Sequence, residues 1–170
     1  RKAKTANPSG RQKDDEDGGP LNAEHHKLYR GVVGKLMWAI NERPDLNYSV
    51  KELARRCSSP TMRDWKSMEA VLRYLKFSSD VHLELKIDED FQFNELSIVL
   101  TVITDASWSA DRSTSGGVLL LGGFVLASWS RTQSQSALSS CESEFYALTT
   151  GVQEALFVKS LLKEMFPKGE

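Results

Sequence analysis

The sequence predicts an α+β protein in which helices come first, an antiparallel sheet follows, and one long helix closes the chain. Three observations carry that prediction. Residues 28–76 place apolar side chains at helical spacing in three successive stretches. From 81 to about 130 the pattern changes to strand-like alternation and short apolar runs. From Ser139 a helical stripe returns and continues to the end of the apolar sequence.

Taken in order, Leu28, Val32, Leu36, Met37 and Ile40 predict one face of a first helix, stopped by Arg43-Pro44-Asp45 because the proline ring disfavours helix in the residue before it. Leu46, Val50, Leu53, Ala54 and Cys57 mark a second helix, ended by Ser58-Ser59-Pro60. Thr61 followed by Asp64 reads as an N-terminal cap. It opens a third helix striped by Trp65, Met68, Leu72 and Leu75. Val81, Leu83, Leu85 and Ile87 alternate with polar residues, which predicts a half-buried strand. Residues 88–96 then read as a turn and an edge. Ser97–Ile103 predicts a buried strand through Val99, Leu100, Val102 and Ile103, with Asp105 emerging at its end. Gly122-Gly123, between GVLLL and FVLASWS, predicts a tight hairpin. Ser139 with Glu142 has capping-box spacing. Phe145, Leu148, Val152, Ala155, Leu156, Leu162 and Met165 make the stripe of the last helix, ended by Pro167 and Gly169.

Composition bounds the function. The chain has 170 residues, 40% of them hydrophobic, so a core is available and wholesale disorder is excluded. A net charge of −1 gives no global field for nucleic acid, and any such contact must rest on a local patch. The richest stretch is residues 55–76, where Arg55, Arg56, Arg63, Lys66, Arg73 and Lys76 face only Asp64 and Glu69. Cys57 and Cys141 have neither metal nor disulfide-framework spacing and suit a reducing, intracellular compartment. No apolar run approaches the roughly 20 residues of a membrane span. The first 20 residues carry a basic cluster, an acidic cluster and Gly-Gly-Pro, and predict a disordered linker over 1–26. Trp108 and Trp129 could stack on sugars or bases, although core packing is the better reading.

Two places can carry chemistry: Asp105, and the stretch SALSSCESEFYAL with Glu142 and Glu144 in the first turns of the last helix. The helix dipole favours a carboxylate there regardless of function, so Glu142 reads as a capping residue. Glu144, on nearly the same side as Phe145 and Leu148, should lie near the sheet.

The motifs Arg-Pro-Asp, Arg-Tyr-Leu-Lys, Asp-Ala-x-Trp, Arg-Ser-Thr-Ser-Gly, Ser-Trp-Ser and Ala-Leu-Ser-Ser-x-Glu-x-Glu occur in that order between about Leu28 and Phe166. In this the chain resembles copia-type retrotransposon Pol polyproteins. The resemblance implies a helical connection at 27–78, the segment after the reverse transcriptase, and the first half of a ribonuclease H domain at 79–170. It implies cleavage of RNA in RNA–DNA hybrids with two Mg²⁺ ions, held by carboxylates about 3.5–4 Å apart. The family's first two acids match Asp105 and Glu144, which would be catalytic metal ligands. The family's third acid lies on a strand after this helix, and the sequence stops at Glu170. Two carboxylates give roughly −2 against +4 for two ions, so weak or absent activity is expected of this chain alone. The strand ending at Ile103 would then have an open edge, which predicts self-association or a protein partner. The alternative reading is a recruited, non-enzymatic binding or structural subunit of a larger assembly.

Overall fold

The computed structural model describes residues 18–84 and 99–166. The chain divides into two compact units, one up to Leu83 and one from Glu84. The order is helix α1 (Ala23–Ala39), a single 3-10 turn (Pro44–Leu46), α2 (Asn47–Arg55), α3 (Met62–Phe77), strands β1 (Leu100–Ser107), β2 (Thr114–Leu121) and β3 (Phe124–Thr132), and α4 (Ser140–Met165). The α+β class is as the sequence predicts.

In the first unit the core is formed by Tyr29, Val33 and Leu36 of α1, Leu46, Val50 and Leu53 around α2, and Met68 and Val71 of α3. The stripe on α1 is therefore rotated one residue from the predicted one. Leu28 and Met37 are exposed, and Tyr29 is fully buried. The rotation is affordable for a tyrosine because its hydroxyl donates to the Leu53 carbonyl at 2.9 Å, and burial pushes that hydroxyl's pKa up. On α3, likewise, Val71 is buried where the sequence pattern singles out Leu72, which is exposed. The predicted cap at Thr61 is present. Its hydroxyl accepts from the Asp64 N–H, while the Asp64 carboxylate accepts from the Thr61 N–H at 2.8 Å.

Helix α1 begins five residues before the predicted stripe, so residues 23–26, predicted as part of a disordered linker over 1–26, are helical. Asn22 caps the helix by accepting from the His25 N–H at 2.8 Å. Pro20 bridges Thr61, and the Leu21 N–H donates to the Pro60 carbonyl. Residues 1–17 lie outside the described residues. The Arg43-Pro44-Asp45 stop is a clamp. The Arg43 guanidinium donates to both Asp45 carboxylate oxygens and to the carbonyl and hydroxyl of Ser78, just past α3. Of the strand predicted over 81–87, residues 81–84 form no strand, and the Val81 N–H instead closes a turn on the Ser78 carbonyl. Residues 85–98 lie outside the described residues.

In the second unit the sheet order is β1-β2-β3, antiparallel throughout. Gly122 and Gly123 form the predicted two-residue turn with φ of 52° and 80°. That left-handed pair matches the strand twist and disfavours any side chain. Helix α4 covers one face of the sheet. It turns inward Ser143, Ala147 and Gly151, all buried, rather than the predicted apolar stripe. Phe145 is 62% exposed and Leu148 50%. The reason is distance. A Cβ on Gly151 would sit 2.5 Å from Thr104 Cγ2 and 2.8 Å from Val102 Cγ1, so only a face of small residues lets α4 approach β1 this closely.

Candidate functional site

Strand β1 alternates half-buried and exposed positions along its whole length. Val102 and Thr104 lie under α4, so Asp105 shares the opposite parity with Thr101, Ile103 and Ser107. Ile103, predicted as buried, is 57% exposed for the same reason. The strand also continues two residues beyond Asp105, because Ala106 and Ser107 still pair with Ser115 and Thr114. Asp105 is thus inside a strand and not at its end. Its cross-strand partner is Gly116, with Ser130 beyond on β3. A Cβ at Gly116 would meet nothing closer than 3.9 Å, so the ground beside the carboxylate is open. On its outer side β1 pairs with no strand among the described residues.

Glu144 follows the buried Ser143 on α4 and is exposed on the flank of the helix. The expectation that it lies on the sheet side with Phe145 and Leu148 is corrected, since both of those side chains point away. Packing of α4 on β1 places the two acid-bearing elements against one another. Among the described residues neither carboxylate is engaged in a hydrogen bond or ion pair, and no group of three or more His, Cys, Asp or Glu side chains could hold a metal ion. Two other acids of α4 are committed elsewhere. Glu154 pairs with Arg131 at 2.6 Å. Glu142 accepts from the Leu138 N–H at 2.7 Å and from the Tyr146 hydroxyl at 2.8 Å. Those two donors, the backbone N–H first, hold its carboxyl below the usual range. It is the capping residue expected.

A buried polar cluster that sequence reasoning missed lies beneath α4. The Gln133 side-chain amide donates to Ser115 Oγ at 2.9 Å and to the Ser143 carbonyl at 2.8 Å, and its backbone N–H donates to the Ser113 carbonyl. It ties the end of β3 to the first turn of α4 and so fixes the helix that carries Glu144. The available signal was the Ser113-x-Ser115 pair, which puts hydroxyls where β2 would otherwise present apolar residues. The tryptophans divide. Trp129 is buried as expected, across from Gly117. Trp108 is 48% exposed, contrary to the core reading, and its Nε1 donates to the Ala137 carbonyl at 3.0 Å, pinning the loop before α4. The basic stretch 55–76 is partly neutralised, because Arg55 pairs with Glu52 at 3.4 Å and Arg56 with Asp64 at 3.9 Å.

The chain is 34% identical over 141 residues to the retrovirus-related Pol polyprotein from transposon RE2 of Arabidopsis thaliana, a match covering 81% of this chain. The corresponding polyprotein from transposon RE1 of the same plant is 31% identical over the same share. This is a segment of a copia-type Pol polyprotein. The segment spans 9% of the length of each of those two relatives. A third relative differs in extent: secreted RxLR effector protein 161 of Plasmopara viticola is 33% identical over 135 residues, which is 76% of this chain and 90% of the effector. No family model and no solved structure matches the Pol segment. No helix among its described residues is long and apolar enough to cross a membrane.

Proposed function

We propose that this Pol segment contributes the first two acids, Asp105 and Glu144, of a ribonuclease H-type site acting on the RNA strand of RNA–DNA hybrids. The observation that carries the reading is the placement of an unengaged carboxylate on β1 beside Gly116, with a second on the helix packed against that strand. Both offer hard oxygen donors of the kind Mg²⁺ takes, and Mg²⁺ commonly uses one or two carboxylates with water completing the shell. Asp105 stands on the parity of β1 opposite to the residues under α4, so one ion would have to be reached by the two carboxylates around the strand, and by number they fall short of a two-metal centre. When bound, Mg²⁺ would activate water and stabilise a leaving oxygen. The chain's own part is to present the carboxylates. The β1–β2 ladder fixes Asp105, Gly116 leaves room for a phosphate to approach, and the Gln133 cluster fixes the first turn of α4.

The test uses a labelled hybrid with Mg²⁺. The chain is expected to cut it slowly, and Asp105→Asn or Glu144→Gln should abolish the cut. A cut that persists with both acids replaced, or no cut with Mg²⁺ in excess, refutes the assignment.

The second reading, a non-enzymatic subunit, is favoured by the effector relative, in which a segment of about this extent makes up nine-tenths of the protein. It is also favoured by exposed apolar surface on α4 (Phe145, Leu148, Val152 and Leu156), at Ile103 of the sheet and at Val99 just before β1. A protein that covers these would behave as a subunit. Sedimentation of the purified chain is expected to show self-association that Phe145→Glu with Val152→Glu weakens. A monomer at all concentrations removes this reading's physical motive.

A further inference from the structure

We propose that Ser58, in the turn between α2 and α3, is a phosphorylation site for a serine kinase that selects its substrates by arginine. Arg55 and Arg56 stand three and two residues before it, and they are the only adjacent arginines in the sequence. A serine so placed offers two permanent cations to the carboxylates with which such a kinase grips its substrate, and that charge pattern sets the choice of serine. All three residues are exposed. The guanidinia are also lightly held. Arg56 is 69% exposed and meets Asp64 only at 3.9 Å, and Arg55 is 47% exposed and meets Glu52 at 3.4 Å. Exposed single pairs of this kind are readily given up. Among the described residues the Ser58 hydroxyl has no hydrogen-bond partner.

Neighbouring serines compete poorly. Ser59 has one arginine three residues before it, and the buried Pro60 follows directly and restricts its backbone. Ser134 has Arg131 three residues before it, but that guanidinium is held by Glu154 at 2.6 Å. Ser113 follows Arg112 and is fully buried.

A kinase reads its substrate as an extended chain, so the turn must open, and its bonds are of the kind that open easily. The Arg56, Cys57 and Ser59 N–H groups each donate to the carbonyl three residues back, those of Leu53, Ala54 and Arg56, at 3.1 Å. Tight tails of this type fray at low cost. Helix α2 has only nine residues, and no side chain caps its start. The opening stays local, because buried Leu53 and buried Pro60 bracket the segment. The one tertiary bond inside it joins His26 Nε2 to the Cys57 carbonyl at 2.9 Å. In the transfer, Ser58 Oγ attacks the γ-phosphorus of a nucleoside triphosphate. The new O–P bond forms as the bond to the bridging oxygen breaks. The nucleoside diphosphate leaves with the electron pair, and the hydroxyl proton passes to the kinase's carboxylate base. Between residues 55 and 76 six cations face two acids, so a phosphate of about −2 offsets about half of that excess. It also outcompetes Asp64 Oδ1 for Arg56, while Asp64 Oδ2 stays with the Thr61 N–H and hydroxyl. The modification therefore recharges this surface and leaves the cap of α3 in place.

The experiment incubates the full chain with the catalytic subunit of cyclic-AMP-dependent protein kinase and MgATP. Intact mass reads how many phosphoryl groups are added, and fragmentation reads where. One phosphoryl group is expected, on Ser58. Ser58→Ala should abolish its addition, and Ser59→Ala should leave the rate unchanged. Arg55→Gln together with Arg56→Gln should lower the initial rate about tenfold or more with Ser58 intact. All altered side chains are exposed, and circular dichroism checks that each variant, and the phosphorylated chain itself, keeps its helix content. Incorporation that persists in Ser58→Ala overturns the site. A rate unmoved by the arginine variant overturns its recognition. A chain that stays unmodified while a free peptide of residues 52–62 is phosphorylated shows that the fold withholds the turn, and overturns the proposal. Loss of helix on phosphorylation overturns the survival of the α3 cap.

Discussion

Replacing Gly117 by valine is expected to cost the sheet unit about 3 kcal/mol or more, the upper range for overpacking a filled site. Gly117 pairs across the ladder with Trp129. A Cβ added there would lie 2.1 Å from Trp129 Cζ2, 2.4 Å from Cε2 and 2.8 Å from Cη2. No rotation of valine relieves a clash that begins at its first carbon. The indole has little room to retreat, being only 7% exposed. Either the ring leaves the interior, exposing apolar surface, or the β2–β3 ladder spreads. Urea denaturation of Gly117→Val, Trp129→Ala and the double variant reads the difference. Trp129→Ala alone should cost about 3–5 kcal/mol through the cavity it leaves. The double variant should then be more stable than the sum of the single losses predicts, by about 2 kcal/mol, because the valine fills part of that cavity. Strict additivity would show that the ring and the glycine do not compete for one space.

What the sequence made legible here was local. Thr61 with Asp64, and Gly122-Gly123, act within three or four residues, and the structure uses each as read. Faces were harder. The apolar periodicity of α4 identifies a helix correctly but not the side it packs with, because Phe145, Leu148, Val152 and Leu156 form the better stripe while Ser143, Ala147 and Gly151 fit the closer approach to β1. Tyr29 displaced Leu28 on α1 for a related reason: its hydroxyl finds the Leu53 carbonyl, a partner 24 residues away that no window reveals. Asp105 was legible as an acid in a strand context. Its distance from the strand end was not, since β1 is prolonged by pairing with Thr114 and Ser115 across a loop. Gln133 was invisible for the same physical reason, because its role arises only when β2, β3 and the start of α4 meet.

Arg43→Ala is expected to destabilise the helical unit by about 2–3 kcal/mol, the range for charge-assisted hydrogen bonds removed from a half-buried setting. The Arg43 side chain is only 11% exposed and reaches in two directions. Toward its own loop it forms a fork with the Asp45 oxygens at 3.0 and 2.8 Å. Toward the end of α3 it meets the Ser78 carbonyl and hydroxyl at 3.0 and 2.9 Å. Tyr74 completes the clamp, with its hydroxyl on Asp45 and its ring 5.7 Å from the guanidinium. Arginine suits the position because one planar group serves both ends, and Arg43→Lys should recover only part of the loss. The clamp also predicts the direction of a pH effect. The Arg43 hydrogen bonds, aided by the Tyr74 hydroxyl, hold the Asp45 carboxyl below its ordinary range. A depressed folded-state pKa contributes stability that is fully present above the unfolded value of about 3.9 and is lost as pH falls through the folded value. Stability of the wild type should therefore drop below about pH 4, and Arg43→Ala should flatten that acid limb while lowering the plateau at neutral pH. Chemical denaturation between about pH 2 and 7 measures both effects. An acid limb equally steep in wild type and variant would place the titrating carboxylate elsewhere in the chain and remove Asp45 from the clamp's energetics.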